Sequence, residues 1–297
     1  MKRERAKAAR TRFSPVMIAM CVILCLYVIS LILPFVWGFI NSFKSRLDFL
    51  HNSIGLPEQW VWNYGTVIKH FRVMITNDKV GQKFVSLPAM FGNAILYSLG
   101  SAIVAAIVPC MTAYLCARFR YKFSNVMYNI VIITMILPII GNGPARIQVT
   151  RAIGLYDSIW GMWIINAGFT GLYFLVFYNV FKVLPKDFTD AAKIDGANNL
   201  QIVLRVALPV VRNALLTIIL IKFIEFWNDY QTPLVYMPSY PTVAYGLHLM
   251  EKTTENAMNT VPMRMAASMI MFLPIIIVFL VLQKHLLGNL MVGGLKG

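Results

Sequence analysis

Long apolar runs separated by shorter basic or polar connections dominate the pattern of this chain. A helix needs about 20 apolar residues to cross the hydrocarbon core of a bilayer. Six stretches meet or approach that length: Val16 to Ile40, Asn93 to Cys116, Val126 to Ile140, Ser158 to Phe181, Ile202 to Phe226 and Met265 to Leu286. The pattern predicts an all-α membrane protein of six transmembrane helices, forming a single domain over residues 1–297. Between the runs lie tails at 1–15 and 287–297, two long connections at 41–89 and 228–264, and a polar connection at 182–201. Although Lys2-Arg3-Glu4-Arg5 precedes the first run, that run is too long for the apolar region of a signal peptide and lacks a small-residue cleavage site. It reads as a retained anchor.

Composition agrees with the pattern: 58% of the residues are hydrophobic and 13% charged, more apolar surface than a soluble domain of this size would bury. The cytoplasmic membrane is therefore the expected location, with lipid as one partner. The formal net charge of +15 raises nucleic acid as a ligand, but the basic residues sit in tails and between apolar runs, without an aromatic-basic platform for bases. No nucleic-acid partner is expected. Basic residues instead set the orientation. Lys2, Arg3, Arg5, Lys7, Arg10 and Arg12, then Arg118, Arg120 and Lys122, then Lys182, Lys186 and Lys193 fall on one side, which marks that side and both termini as cytoplasmic. Lys44 and Arg46 lie on the other side, in a connection long enough to cross despite its charge.

The long outer connections carry Trp60, Trp62 and Tyr64, and Tyr230, Tyr236 and Tyr240. They serve either as interfacial anchors or as a surface for an external carrier. Within the spans, Ser101 and Ala105, and Ala102 and Ala106, have the spacing that lets helices approach closely. Pro34, Pro109, Pro138 and Pro274 interrupt spans, which neighbouring helices tolerate. Cys21, Cys25, Cys110 and Cys116 lie in apolar runs and read as small core residues rather than bridges or metal ligands.

Charge at membrane depth is costly unless it is paired or faces a polar cavity. Lys222 and Glu225 share a helix face near the outer end of the fifth span, and Trp227, Asn228 and Asp229 follow. These five residues are candidates for a solute pathway, with an ion pair that fixes packing as the alternative. No Gly-x-x-x-x-Gly-Lys-Ser/Thr phosphate loop, zinc-protease helix or nucleophile elbow occurs. The histidines His51, His70, His248 and His285 have no partner motif and read as surface residues. No catalytic residue, metal site or bound cofactor is expected.

The polar connection before the fifth span is the least ordinary segment. Asp187 or Thr189 can cap a short helix after Pro185, with Asp190 in a first turn that suits negative charge. Ala191 and Ala192 leave that helix a thin face, which fits a groove on another protein. Gly196 permits a positive φ and a reversal into a second helix. Leu200, Val203, Leu204 and Ala207 give that helix an apolar stripe, and Pro209 marks the bend into the span.

These residues resemble the EAA signature of ABC importer permeases: glutamate-Ala-Ala, three residues, Gly, nine residues, an aliphatic residue, one residue, Leu-Pro. Asp190, Ala191, Ala192, Gly196, Val206, Leu208 and Pro209 occupy those positions, with Asp190 keeping the charge but shortening its reach. The longer form, Asp190 to Asn198, is similar to the carbohydrate branch and its maltose-type permeases. Ser42-Phe43-Lys44, Asn63-Tyr64, Asn93, Ala113-Tyr114, Ala117-Arg118-Phe119, Gly154-Leu155, Trp227-Asn228-Asp229, Gln283-Lys284 and the tail Gly293 to Gly297 resemble it too. The resemblance implies a type I importer permease that pairs with a second, homologous permease. Together they sit on a dimer of cytoplasmic ATPases, which bind the ATP and Mg, and an extracytoplasmic solute-binding protein delivers a sugar or oligosaccharide. It implies that Asp190, Ala191, Ala192, Asp195, Gly196, Leu208 and Pro209 couple to the ATPase, and that Gly294, Lys296 and Gly297 reach its interface. A non-sugar solute, an ion-coupled secondary transporter and a membrane-assembly protein are the alternatives. The inverted repeat and mid-membrane carboxylates of an ion-coupled transporter are not evident.

Overall fold

The computed structural model describes residues 14–77, 81–119, 122–137, 141–185, 187–252 and 259–290. In chain order the elements are α1 (Pro15–Asn41), α2 (Arg46–His51), α3 (Asn63–His70), β1 (Arg72–Asn77), β2 (Gly81–Ser86), α4 (Leu87–Arg118) and α5 (Lys122–Ile136). They continue with α6 (Gly143–Ala152), α7 (Ile159–Ile165), α8 (Leu172–Val183), α9 (Asp187–Ile194) and α10 (Asn199–Ile202). A π-helical turn (Val203–Ala207) leads to α11 (Leu208–Asn228), followed by α12 (Gln231–Tyr236), α13 (Val243–Lys252) and α14 (Val261–Leu290).

Among the described residues, four stretches are long and apolar enough to cross a membrane: Pro15–Asn41, Leu87–Arg118, Asn199–Asn228 and Val261–Gln283. Two shorter apolar helices, Phe123–Ile136 and Leu172–Val183, match the third and fourth apolar runs. The fourth run differs from the continuous helix expected over Ser158 to Phe181. It breaks into α7 and α8 across Asn166 to Gly171, where Gly171 turns at φ +114°, a conformation that side-chain-bearing residues rarely adopt. Pro34, Pro109 and Pro274 lie within α1, α4 and α14, while Pro138 lies outside the described residues.

α4 is the central element, packing against α11, α8 and α7. Its small residues explain why. Ser101, Ala102, Ala105 and Ala106 are buried, giving the close approach anticipated from their spacing. At Gly100 the approach is closest, because a Cβ there would run into the Trp163 indole, whose Nε1 donates to the Leu96 carbonyl at 3.0 Å. Gly100→Leu is therefore expected to lower the thermal stability of the solubilised protein by about 3 kcal/mol, the upper end for overpacking. A melting curve like that of the parent would contradict this seat for Trp163.

One core lies where the first part of α4 and the end of α11 meet α14, around Trp227, Phe223 and Met90. Another joins α4, α8 and the start of α11 around Phe174, Phe177 and Phe181. α1 stands apart: its residues up to Val36 are exposed, and it meets the bundle near its end through Phe35 stacked on Phe272 at 4.9 Å. Cys21 and Cys25 are exposed on α1 instead of sitting in a core, whereas Cys110 is buried and Cys116 half-buried; all four are free thiols. The apolar character of α1 is directed outward, away from its own chain.

The first long connection is structured. Phe71, Val73 and Ile75 are buried while Arg72, Met74 and Thr76 are exposed, so β1 alternates inward and outward. It pairs antiparallel with β2, Val73 opposite Val85. Two of the motifs met in the sequence join here. Asn63 Nδ2 donates to the carbonyls of Ser42 and Lys44, each at 2.8 Å, and the Ser42 and Tyr64 hydroxyls lie 2.7 Å apart. Burial holds the Tyr64 phenol above its ordinary pKa, against a smaller lowering by the Ser42 hydrogen bond. Lys44, fully buried, donates its ammonium to the Asn52 carbonyl. Ser42-Phe43-Lys44 and Asn63-Tyr64 thus clasp this connection to the end of α1.

Candidate functional site

The polar connection folds as a helical reversal whose parts follow from its residues. Asp187 and Asp190 occupy the first turn of α9 and Lys193 the last, each complementing the helix dipole. At its end, Gly196 N–H donates to Lys193 O at 3.0 Å and Ala197 N–H to Ala192 O at 2.9 Å. That pair of bonds is a Schellman closure, and it requires the φ of +79° that Gly196 adopts. α10 then starts on a reciprocal cap: Asn198 Oδ1 accepts from Gln201 N–H, and Gln201 Oε1 accepts from Asn198 N–H, both at 2.8 Å.

Pro209 has no N–H to give to a carbonyl one turn back, and the chain widens just before it. Leu208 N–H reaches five residues back to Val203 O, and α11 follows with Pro209 in its first turn. The apolar stripe anticipated for this segment is split. Val203 and Ala207 are buried with Ile202, while Leu200 and Leu204 are exposed.

The outer surface of the reversal is apolar and acidic together. Phe188, Asp190, Ala191, Ile194 and Asp195 are exposed, Ile194 at 87%. Thr189 is buried on the opposite side, and Ala192 is half-buried. Behind α9 lies a cavity of about 910 Å³, bordered by Tyr114, Arg118, Tyr178, Lys182, Asp190 and Lys193. Arg118, from the Ala117-Arg118-Phe119 motif, donates an Nη2 hydrogen to Pro185 O at 3.4 Å, tying the end of α4 to the reversal.

A second polar cavity, of about 430 Å³, lies beside α11. Lys222, Glu225 and Asp229 border it, three of the five residues proposed from sequence for a pathway. Lys222 Nζ is 2.8 Å from Glu225 Oε2 and lies over the rings of Tyr173 and Phe226 at 5.3 and 5.8 Å. Asp229 Oδ2 accepts from the Tyr97 hydroxyl at 3.1 Å, and its Oδ1 accepts from Thr232 N–H at 3.0 Å, so the carboxylate joins α4 to α12. Trp227 and Asn228 are not among the lining residues. Trp227 is buried between Phe91 and Phe223 and donates Nε1–H to Met271 O at 3.1 Å, and Asn228 donates to Ile224 O at 2.8 Å.

The cavity also recruits residues that sequence reasoning missed: Arg146 on α6, and Asn166 and Thr170 from the break between α7 and α8. Asn166 Nδ2 donates to Ser101 Oγ at 3.1 Å, which sets the break against α4. The signal was available in the run Asn166-Ala167-Gly168, polar and glycine-bearing where a span needs apolar residues. Gly294, Lys296 and Gly297 lie outside the described residues, as do the basic residues of the amino-terminal tail and Arg120 and Lys186. Among the described residues no group of histidine, cysteine and carboxylate side chains has metal-site geometry.

Comparison with known proteins places this arrangement. The family model described as "Binding-protein-dependent transport system inner membrane component" matches residues 105–290. The inner membrane ABC transporter permease protein YcjP of Escherichia coli is 27% identical over 285 residues, 92% of this chain and 94% of that protein. The melibiose/raffinose/stachyose import permease MelC of Bacillus subtilis is 24% identical, covering 98% of this chain and all of that protein. The diacetylchitobiose uptake system permease NgcG of Streptomyces coelicolor is 24% identical over 91% of this chain and 86% of its own length. Among solved structures, a chain of a bacterial ABC transporter that imports the acidic polysaccharide alginate shares the fold. Its TM-score is 0.73 at 23% identity, over 95% of this chain and 99% of that one.

Proposed function

Because this chain belongs to the family of binding-protein-dependent transport system inner membrane components, we propose that it is one membrane-spanning half of an ATP-driven importer for a sugar or oligosaccharide. It is a multi-pass protein of the cytoplasmic membrane. Six crossings fit four long apolar helices and two shorter ones, and the distribution of basic residues favours cytoplasmic termini. In this reading residues 41–89 and 228–264 lie outside, and 182–201 and the tails lie inside.

The observation that carries the proposal is the reversal from Asp187 to Pro209, an exposed acidic and apolar surface held between two apolar helices by a Schellman closure and a reciprocal cap. Asp190, Ala191, Asp195 and Gly196 form the outward-facing part with Ala192 half-buried beside them, and Leu208 and Pro209 join it to α11. It is the element on which a cytoplasmic ATPase acts. ATP and Mg belong to that partner, and this chain needs no cofactor of its own. Rigid transmission suits the arrangement, because Arg118 and the π-helical turn connect the reversal to α4 and α11. A second permease closes the pathway, and an extracytoplasmic binding protein delivers the solute. Exposed Trp60 and Trp62, ranged around Phe43, provide an outer surface for it. The tail residues Gly294, Lys296 and Gly297 extend the ATPase contact.

Similar proteins include import permeases for melibiose, raffinose and stachyose and for diacetylchitobiose, which favours a saccharide. Purification of the tagged chain from its own membrane tests the assembly. The proposal expects an ATPase and a second permease to co-purify, and recovery of the chain alone, without ATP-dependent uptake, would refute it. Within the pathway, Lys222→Ala is expected to slow uptake about tenfold, the value of one charge-assisted hydrogen bond. The ATPase should still co-purify at parent yield, because Lys222 is far along α11 from the reversal. Unchanged uptake would remove Lys222 from the pathway.

A further inference from the structure

Resting on the pathway reading above, a property of the cavity beside α11 bears on the chemistry of the solute. Four charged side chains border it: Arg146, Lys222, Glu225 and Asp229. Lys222 and Glu225 form an ion pair at 2.8 Å. Asp229 is anchored at both oxygens, by the Tyr97 hydroxyl and by Thr232 N–H. Arg146 is different. Its guanidinium carbon lies 5.5 Å from the centre of the Tyr236 ring, and among the described residues no carboxylate pairs with it.

An arginine presents five N–H donors in a planar fork, a geometry that matches both oxygens of a carboxylate at once. Here the fork stands at a polar cavity that is also bordered by Tyr173, Phe226 and Thr170, aromatic and hydroxyl-bearing residues suited to a sugar ring. A neutral sugar would leave the guanidinium without a charged partner. An amino sugar would bring its ammonium toward Arg146 and Lys222, two cations at the same cavity. A uronate supplies what is missing, a carboxylate for Arg146 and hydroxyl groups for the second lone pairs of Asp229. We propose that the solute is an acidic oligosaccharide bearing uronate carboxylates, and that Arg146 is the residue that binds one of them.

The test uses the complete importer, with its partner permease, ATPases and binding protein, reconstituted in vesicles and offered trigalacturonate, maltotriose or a glucosamine trimer. The parent is expected to take up trigalacturonate in preference to the other two. Arg146→Gln should lower that uptake about tenfold or more through a raised KM, and Arg146→Lys, which keeps the charge but loses the fork, should recover part of it. Arg146 is exposed, so neither variant should disturb assembly. Preference for maltotriose or the glucosamine trimer, or parent-level trigalacturonate uptake by Arg146→Gln, would overturn the acidic class and leave the importer reading standing. So would uptake of none of the three while the binding protein still stimulates ATP hydrolysis. Loss of that stimulation in the parent complex would instead bring down the importer reading, and this inference with it.

Discussion

Gly196→Val is expected to abolish most ATP-driven uptake, a fall of about tenfold or more, while leaving the apolar bundle folded. Gly196 sits at φ +79° with open space around it, so a side chain meets no neighbour. The penalty is in the backbone. A residue with a Cβ pays about 1–2 kcal/mol in the left-handed region, and a β-branched one more. That strain is relieved by giving up the two bonds that close α9, from Gly196 to Lys193 and from Ala197 to Ala192. The reversal then loses its fixed angle, and α10, which starts two residues later on its Asn198 cap, no longer follows α9 in one direction. A factor of ten is about 1.4 kcal/mol, within the size of the strain. Hydrolysis by the assembled complex should persist but cease to respond to solute, or the ATPase should dissociate. Uptake at the parent rate would show that the reversal carries no force. Gly196→Asn is the useful companion, because asparagine tolerates the left-handed region and should keep most of the activity.

Asp229→Ala should be the most destabilising change at the polar cavity, at about 2–4 kcal/mol, from the loss of two hydrogen bonds to a carboxylate. Its two oxygens hold Tyr97 on α4 and the first turn of α12. Tyr97 is fully buried, so its hydroxyl loses a partner that water cannot readily replace. Thermal unfolding of the solubilised complex should shift down, and uptake should fall with it. Asp229→Asn, which keeps an acceptor for Thr232 N–H, should recover part of the stability. A melting curve unaffected by Asp229→Ala would show that the carboxylate does not join these elements.

The apolar runs made the four long helices legible, and the spacing of Asp190, Ala191, Ala192, Gly196 and Pro209 made the reversal legible, because both depend on local residue chemistry. Gly196 at positive φ, the acidic first turn of α9 and the widened turn before Pro209 are each dictated by a few neighbours in the chain. What escaped depends on contacts between distant segments. The break between α7 and α8 is held by Asn166 on Ser101, 65 residues apart. The placement of Trp227 in a core, away from the cavity, is settled by Met271 and Phe91. Leu200 and Leu204 share the period of Val203 and Ala207, yet only the latter two are packed against α4 and α8. Arg146 could not be placed from sequence, because nothing near it in the chain announces the cavity that α11 completes. The alternating strand from Arg72 was visible as a period of two but lay inside a stretch read only as a connection.

The central claim is that energy enters through the reversal at Asp190 to Pro209 and that a saccharide moves past α11 in consequence. Uptake of labelled saccharide into vesicles carrying the complete importer, with its binding protein outside and ATP sealed inside, tests this most directly. Accumulation that requires internal ATP, persists when proton and sodium gradients are collapsed, and is lost in Gly196→Val is the predicted result. Accumulation that proceeds without ATP and follows an ion gradient would contradict it.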